Sequence, residues 1–172
     1  MITGEWNRNR LLQTIVVLYA LYVAALWLTN GLLYFEKMGL SPASVLEYYR
    51  GNEEKFLQPR SFQGLLEVSH FHLFAMGMLL LVLTHLMLFV PLADRTKAWL
   101  IVVPFLAAAL DEGAGWLVRF GHPLFAWAKI AGFLLLQASL ALLVALSLWA
   151  VFRGSAEHYA GVRDDALEIE DE

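Results

Sequence analysis

Between Leu11 and Phe35 the chain carries no charged side chain. Nothing else in the sequence restricts its fold so tightly. At about 1.5 Å of rise per residue, roughly 20 helical residues cross a hydrocarbon core about 30 Å thick. Leu11 to Leu33 is long enough. The run ends in Thr29-Asn30-Gly31 rather than in a small-residue cleavage site, so a retained helix is expected, not a cleaved signal. Three further apolar runs follow, at about 68–90, 98–118 and 124–152. The expected fold is all-α: a bundle of four transmembrane helices in residues 1–152. One long extracytoplasmic segment, 34–67, joins helices 1 and 2, and an acidic cytoplasmic tail fills 153–172. Composition agrees, with 59% hydrophobic and only 16% charged residues, against about 25% charged in soluble domains. Periodicity inside the runs is weak because they are apolar nearly all round.

In the 34–67 segment, Ser41-Pro42 reads as a helix start, with serine as cap and proline at the first helical position. Gly51 ends that short helix. From Arg153 the polar, acidic composition predicts a disordered tail.

Basic residues near span ends set the expected orientation. Arg8, Arg10, Arg95, Lys97 and Arg153 share one side of a four-span chain, which is taken as cytoplasmic. The opposite side holds Lys37, Arg50, Lys55, Arg60, Arg119 and Lys129 on longer segments mixed with acids. A multi-pass protein of a bacterial inner membrane, with both termini cytoplasmic, is the expected placement.

The chain has no cysteine and a net charge of only -4. Thioether-bound haem, iron–sulfur clusters and thiolate metal sites are excluded. No basic stripe or recognition motif suggests nucleic acid. No phosphate-binding glycine loop is present, and Ser69 beside His70 is not a catalytic triad. Any cofactor must be held by histidine, carboxylate or methionine.

Ionisable groups at membrane depth are costly and therefore candidates for function. On the second span, His70 and His85 lie about 60° apart around a helix and about 22 Å apart along it. Gly77 falls between them on nearly the same face, and His72 points roughly 160° away from His70. This spacing suits flat macrocycles near the two membrane surfaces, with a glycine where a ring edge presses on the backbone. The alternative is that the histidines are polar residues near span ends, and for His85 that alternative leads. His122, in Phe120-Gly121-His122-Pro123, is the one further histidine at the depth of His70, and the inner level offers no second ligand.

His70, Gly77, His85 and His122 on a four-span outline resemble the small four-helix b-type membrane cytochromes, which anchor periplasmic redox enzymes and exchange electrons with quinone. The resemblance implies a membrane electron-transfer or anchor subunit with one b haem on His70 and His122. Arg119 and Lys129, together with Arg60, would then neutralise the propionates. It also implies other subunits of a membrane redox complex, possible quinone contact, and a non-catalytic role. Leu65 to His72 is similar to a recurring segment of uncharacterised bacterial four-span proteins.

A second reading uses no haem. Glu67, His70 and Asp111, with His122, and with His72 or His85 as further candidates, would hold a copper or iron ion, or zinc. The two rings of His70 and His72 diverge on a regular helix, which disfavours a shared ion. The third reading is an accessory or assembly subunit with a purely structural polar cluster, in which Asp111 or Glu112 pairs with Arg119 or Lys129.

Overall fold

The computed structural model describes residues 9–170, with side chains over 9–152. Among the described residues are five helices and no strand: α1 (Arg10–Lys37), α2 (Pro42–Arg50), α3 (Phe62–Met87), α4 (Asp94–Phe120) and α5 (Phe125–Glu170). Four of them, α1, α3, α4 and the Phe125–Phe152 part of α5, are long and apolar enough to cross a membrane. The chain is a multi-pass helical membrane bundle in contact with the lipid bilayer. Four crossings put the starts of α1 and α4 and the far end of α5 on one side, and α2 on the other.

Side-chain caps fix the helix starts. Asn9 accepts from the Leu11 and Leu12 amides, Ser41 from Ser44 and Ser61 from Gly64, as orphan first-turn donors require. α2 begins at Pro42 and stops at Gly51, whose φ of 81° suits glycine. A Cβ there would come within 2.5 Å of the Leu57 carbonyl oxygen.

α3 starts at Phe62, earlier than the apolar run from Val68 suggested. The Ser61 cap lets the chain become helical before it becomes continuously apolar. The acidic tail expected from Arg153 falls on residues whose side chains lie outside the described set; the α5 backbone continues there to Glu170.

α5 is the most buried of the spans, and α1 and α3 are the least buried. α1, α3 and α4 all pack on α5. α4 and α5 approach backbone to backbone: a Cβ on Gly132 would lie 2.8 Å from the Asp111 amide nitrogen and 2.9 Å from its Cα. A glycine at such a contact is the membrane helix-packing device.

The core divides along the bundle. Away from α2 it is built on Val23, Leu80, Leu83, Met87, Leu140 and Leu143. At the α2 end it is built on Tyr34, Val45, Tyr49, Val118, Ile130 and Phe133. Leu18, Leu21, Phe71, Phe74 and Leu106 are exposed on the outward faces, where lipid is the solvent.

Candidate functional site: a buried polar cluster and its cleft

α3 settles its rotation with one stripe. Leu65 and Ser69 are buried, and so are Leu80, Leu83 and Met87; the two groups are spaced at three and four residues within themselves and eleven apart, which keeps them on one helix face. Ser69 therefore faces inward, and His72, three residues on, is itself exposed (47%) at the edge of the interior. His70 is turned about 100° away from Ser69.

At the α2 end this seam meets α4 and α5. Gly132 lets the two helices close, and Lys129, one turn earlier, reaches across the contact. Its Nζ lies 2.7 Å from Asp111 Oδ1 and donates to the Asp111 carbonyl oxygen at 3.0 Å. Lys129 is only 7% exposed. An ammonium this buried needs its carboxylate, because neither charge is solvated alone.

Beside the pair, the Ser69 hydroxyl donates to Glu112 and accepts from Trp116 Nε1 at 2.7 Å. Ser69 is thus tied in both directions. His72 Nδ1 lies 4.0 Å from Glu112 Oε2 and 3.2 Å from the Val68 carbonyl oxygen.

α2 closes the end of the cluster. Arg50 donates from Nε to the Val118 carbonyl oxygen at 2.7 Å and from its guanidinium to that of Gly121 at 2.8 Å, satisfying last-turn acceptors of α4. Tyr49 packs its ring on Gly115, where a Cβ would lie 2.7 Å from the hydroxyl. Burial raises the Tyr49 hydroxyl above the ordinary phenol range, and the Asp111 charge adds to the shift. Tyr34 stacks on Phe133 with ring centroids 3.6 Å apart. Its hydroxyl is buried and has no hydrogen-bond partner among the described residues.

Two cavities adjoin the cluster. A polar one of about 400 Å³ is lined by Tyr34, Tyr49, Trp116 and Lys129 among others. An apolar cleft of about 320 Å³ is lined by Leu26 of α1, Leu73, Met76 and Gly77 of α3, Phe105 of α4 and Leu136 of α5. Asn30, His72, Asp111 and Glu112 line both, so the polar cavity continues into the cleft.

Most residues singled out from the sequence lie elsewhere. His70 is exposed, its ring 6.0 Å from that of Phe71. Glu67 is exposed and takes Gln63 Nε2 at 2.9 Å. His85 is exposed beside Phe89. His122 is exposed on the α4–α5 turn, where its Nδ1 accepts from the Leu124 amide at 3.1 Å. Of the layer expected to face inward (Glu67, His70, Asp111, His122), only Asp111 does so. Gly77 lines the cleft with open space at its Cβ.

The three cations expected to meet haem propionates have partners within the chain, Arg60 lying over the Tyr48 ring at 4.0 Å. Arg119 Nε donates to the Arg60 carbonyl oxygen at 2.7 Å, and Lys129 is held by Asp111. Among the described residues, no three His, Asp or Glu side chains group as metal ligands. Sequence reasoning missed Ser69, Trp116, Tyr34 and Tyr49. The seam spacing from Leu65 through Ser69 and His72 was the signal that could have found the first of them.

Fold and cluster together define a multi-pass helical membrane protein with a buried ion pair at one end of the bundle. A family model described as a transmembrane helical domain matches residues 39–158. The chain belongs to this family, Aq_1264_TM, whose match runs from the segment before α2 into α5. No curated protein and no solved structure matches the chain.

Proposed function

We infer that the protein is a non-catalytic accessory subunit of a membrane complex, with the outward face of α3 docked against a partner within the bilayer. The observation that carries this reading is His70. It stands at the start of the continuously apolar part of α3, two residues after Val68, and it is exposed beside Phe71 and Phe74. An imidazole turned toward lipid there costs free energy, though less than at the bilayer centre, and a neighbouring protein surface relieves the cost. The cluster within the bundle is then structural: its ion pair fixes the α4–α5 contact, and α2 caps it. The side with Arg10, Arg95 and Lys97 is the cytoplasmic one in this reading.

A b haem is the second reading, and what favours it is that His70 and His85 are both exposed on α3. Such a haem would lie between this face and the partner, which would make the protein an electron-transfer subunit adjoining a quinone-linked complex. A copper or iron ion would sit in the same intermolecular place. Reduced-minus-oxidised spectra of the intact complex separate these readings, because paired imidazoles give a low-spin haem spectrum that disappears in His70→Ala.

Solubilisation of native membranes in mild detergent tests the accessory role. The protein is expected to migrate well above its own mass, and His70→Trp should return it to the monomer position. A parent protein that migrates as a monomer would overturn the proposal.

A further inference from the structure

We propose that the joined cavities form a lipid-accessible binding site for an uncharged, single-chain amphiphile. Its head would bear both a hydroxyl donor and a hydroxyl or carbonyl acceptor. This inference uses the flank of α3 that faces α1, with Gly77 at its border with the docking face, and does not rest on the docked partner.

The tail half of the site is the cleft between α1 and α3. The two helices are tied by Tyr19, whose hydroxyl donates to the Leu79 carbonyl oxygen at 3.3 Å. Toward the α2 end, Leu26 and Asn30 of α1 and Leu73 and Met76 of α3 line one cleft. Its walls are mostly apolar, the polar Asn30, His72, Asp111 and Glu112 being those shared with the polar cavity, with room for part of an alkyl or prenyl chain.

The head half is argued from charge and from hydrogen bonds left unmade. Lys129 and Asp111 cancel one another at 2.7 Å. Glu112 then leaves the cluster with one acid that has no full cationic partner, since His72 Nδ1 is 4.0 Å away. Phosphate or carboxylate would meet this acid without a free buried cation, so an anionic head is disfavoured. A hydroxyl could instead donate to the Glu112 carboxylate.

Tyr34 supplies the complementary demand. Its side chain is buried, 6% exposed, and lines the polar cavity. Its hydroxyl has no acceptor among the described residues, and an unsatisfied buried donor is expensive. A head that accepts from Tyr34 and donates to Glu112 answers both. Neutral glycerol lipids and prenyl quinols share this chemistry.

The full chain in nanodiscs, with labelled monooleoylglycerol as the probe, provides the test. Saturable binding is expected. Tyr34→Phe keeps the ring stacked on Phe133, removes only the hydroxyl and should weaken binding about fivefold to tenfold. Gly77→Leu should abolish binding with the fold intact, because a Cβ at Gly77 meets nothing within 4 Å and the added side chain lies on the cleft wall. Oleate and a lysophosphatidic acid of the same chain length should compete poorly. A short-chain quinol that displaces the probe would identify the quinol as the source, and failure to displace it would identify the glycerol lipid. Equal competition by the anionic lipids, unchanged binding in both variants, or the lack of saturable binding of both neutral probes would each overturn the proposal.

Discussion

Lys129, the fifth residue of α5, reaches Asp111 in a place where neither charge is freely hydrated. Breaking a buried pair leaves the survivor uncompensated, which typically costs about 3–5 kcal/mol, whereas replacing both partners costs far less. Lys129→Met should therefore lower the unfolding free energy in detergent by about 3 kcal/mol, and Asp111→Asn in the same chain should recover most of the loss. Equal loss in the single and double variants would show that the two residues do not act as a unit.

Tyr49 gives a pH signature. A phenol raised in the folded state keeps its full contribution below the unfolded value near 10 and loses it as pH rises beyond that. Thermal stability should fall above about pH 10, and Tyr49→Phe should flatten part of that fall. The sequence pointed to an Asp111 or Glu112 pairing with Arg119 or Lys129, because acids and bases at one depth must neutralise one another. It did not disclose which histidine borders the cluster. α3 is apolar on nearly every side, so its periodicity leaves the rotation open by the angle that separates His70 from His72.

α2 and α4 were readable as elements for opposite reasons. α2 announces itself through local chemistry, since Ser41, Pro42 and Gly51 each fit one position of a short helix. α4 announces itself through length and apolarity alone. Their docking was not readable, because it depends on Arg50 finding the last carbonyls of a helix distant in sequence. Arg50→Met removes both donors and should cost about 2 kcal/mol, with faster amide exchange confined to α2 and the last turn of α4. Protection unchanged in those segments would contradict the capping role. Gly132 is the tighter constraint. Gly132→Ala puts a methyl group against the Asp111 backbone and should cost about 1–3 kcal/mol, the unfolding midpoint being the readout.

For the molecule as a whole, four apolar runs made the bundle legible, because a bilayer accepts few other ways of satisfying the backbone. The orientation rests on Arg8, Arg10, Arg95, Lys97 and Arg153. It predicts that Glu54→Cys, in the segment after α2, is labelled from outside intact cells by an impermeant maleimide. Thr96→Cys, at the start of α4, should stay unlabelled until the cells are opened. The reverse pattern would invert the topology.

The docking of α3 admits an equally direct measurement, because the chain has no cysteine of its own. A photoreactive group attached at His70→Cys should form, in native membranes, an adduct of one discrete higher mass with a second polypeptide, and the same group at His72→Cys should not. Adducts from position 70 with lipid alone, or equal yields from the two positions, would contradict the account.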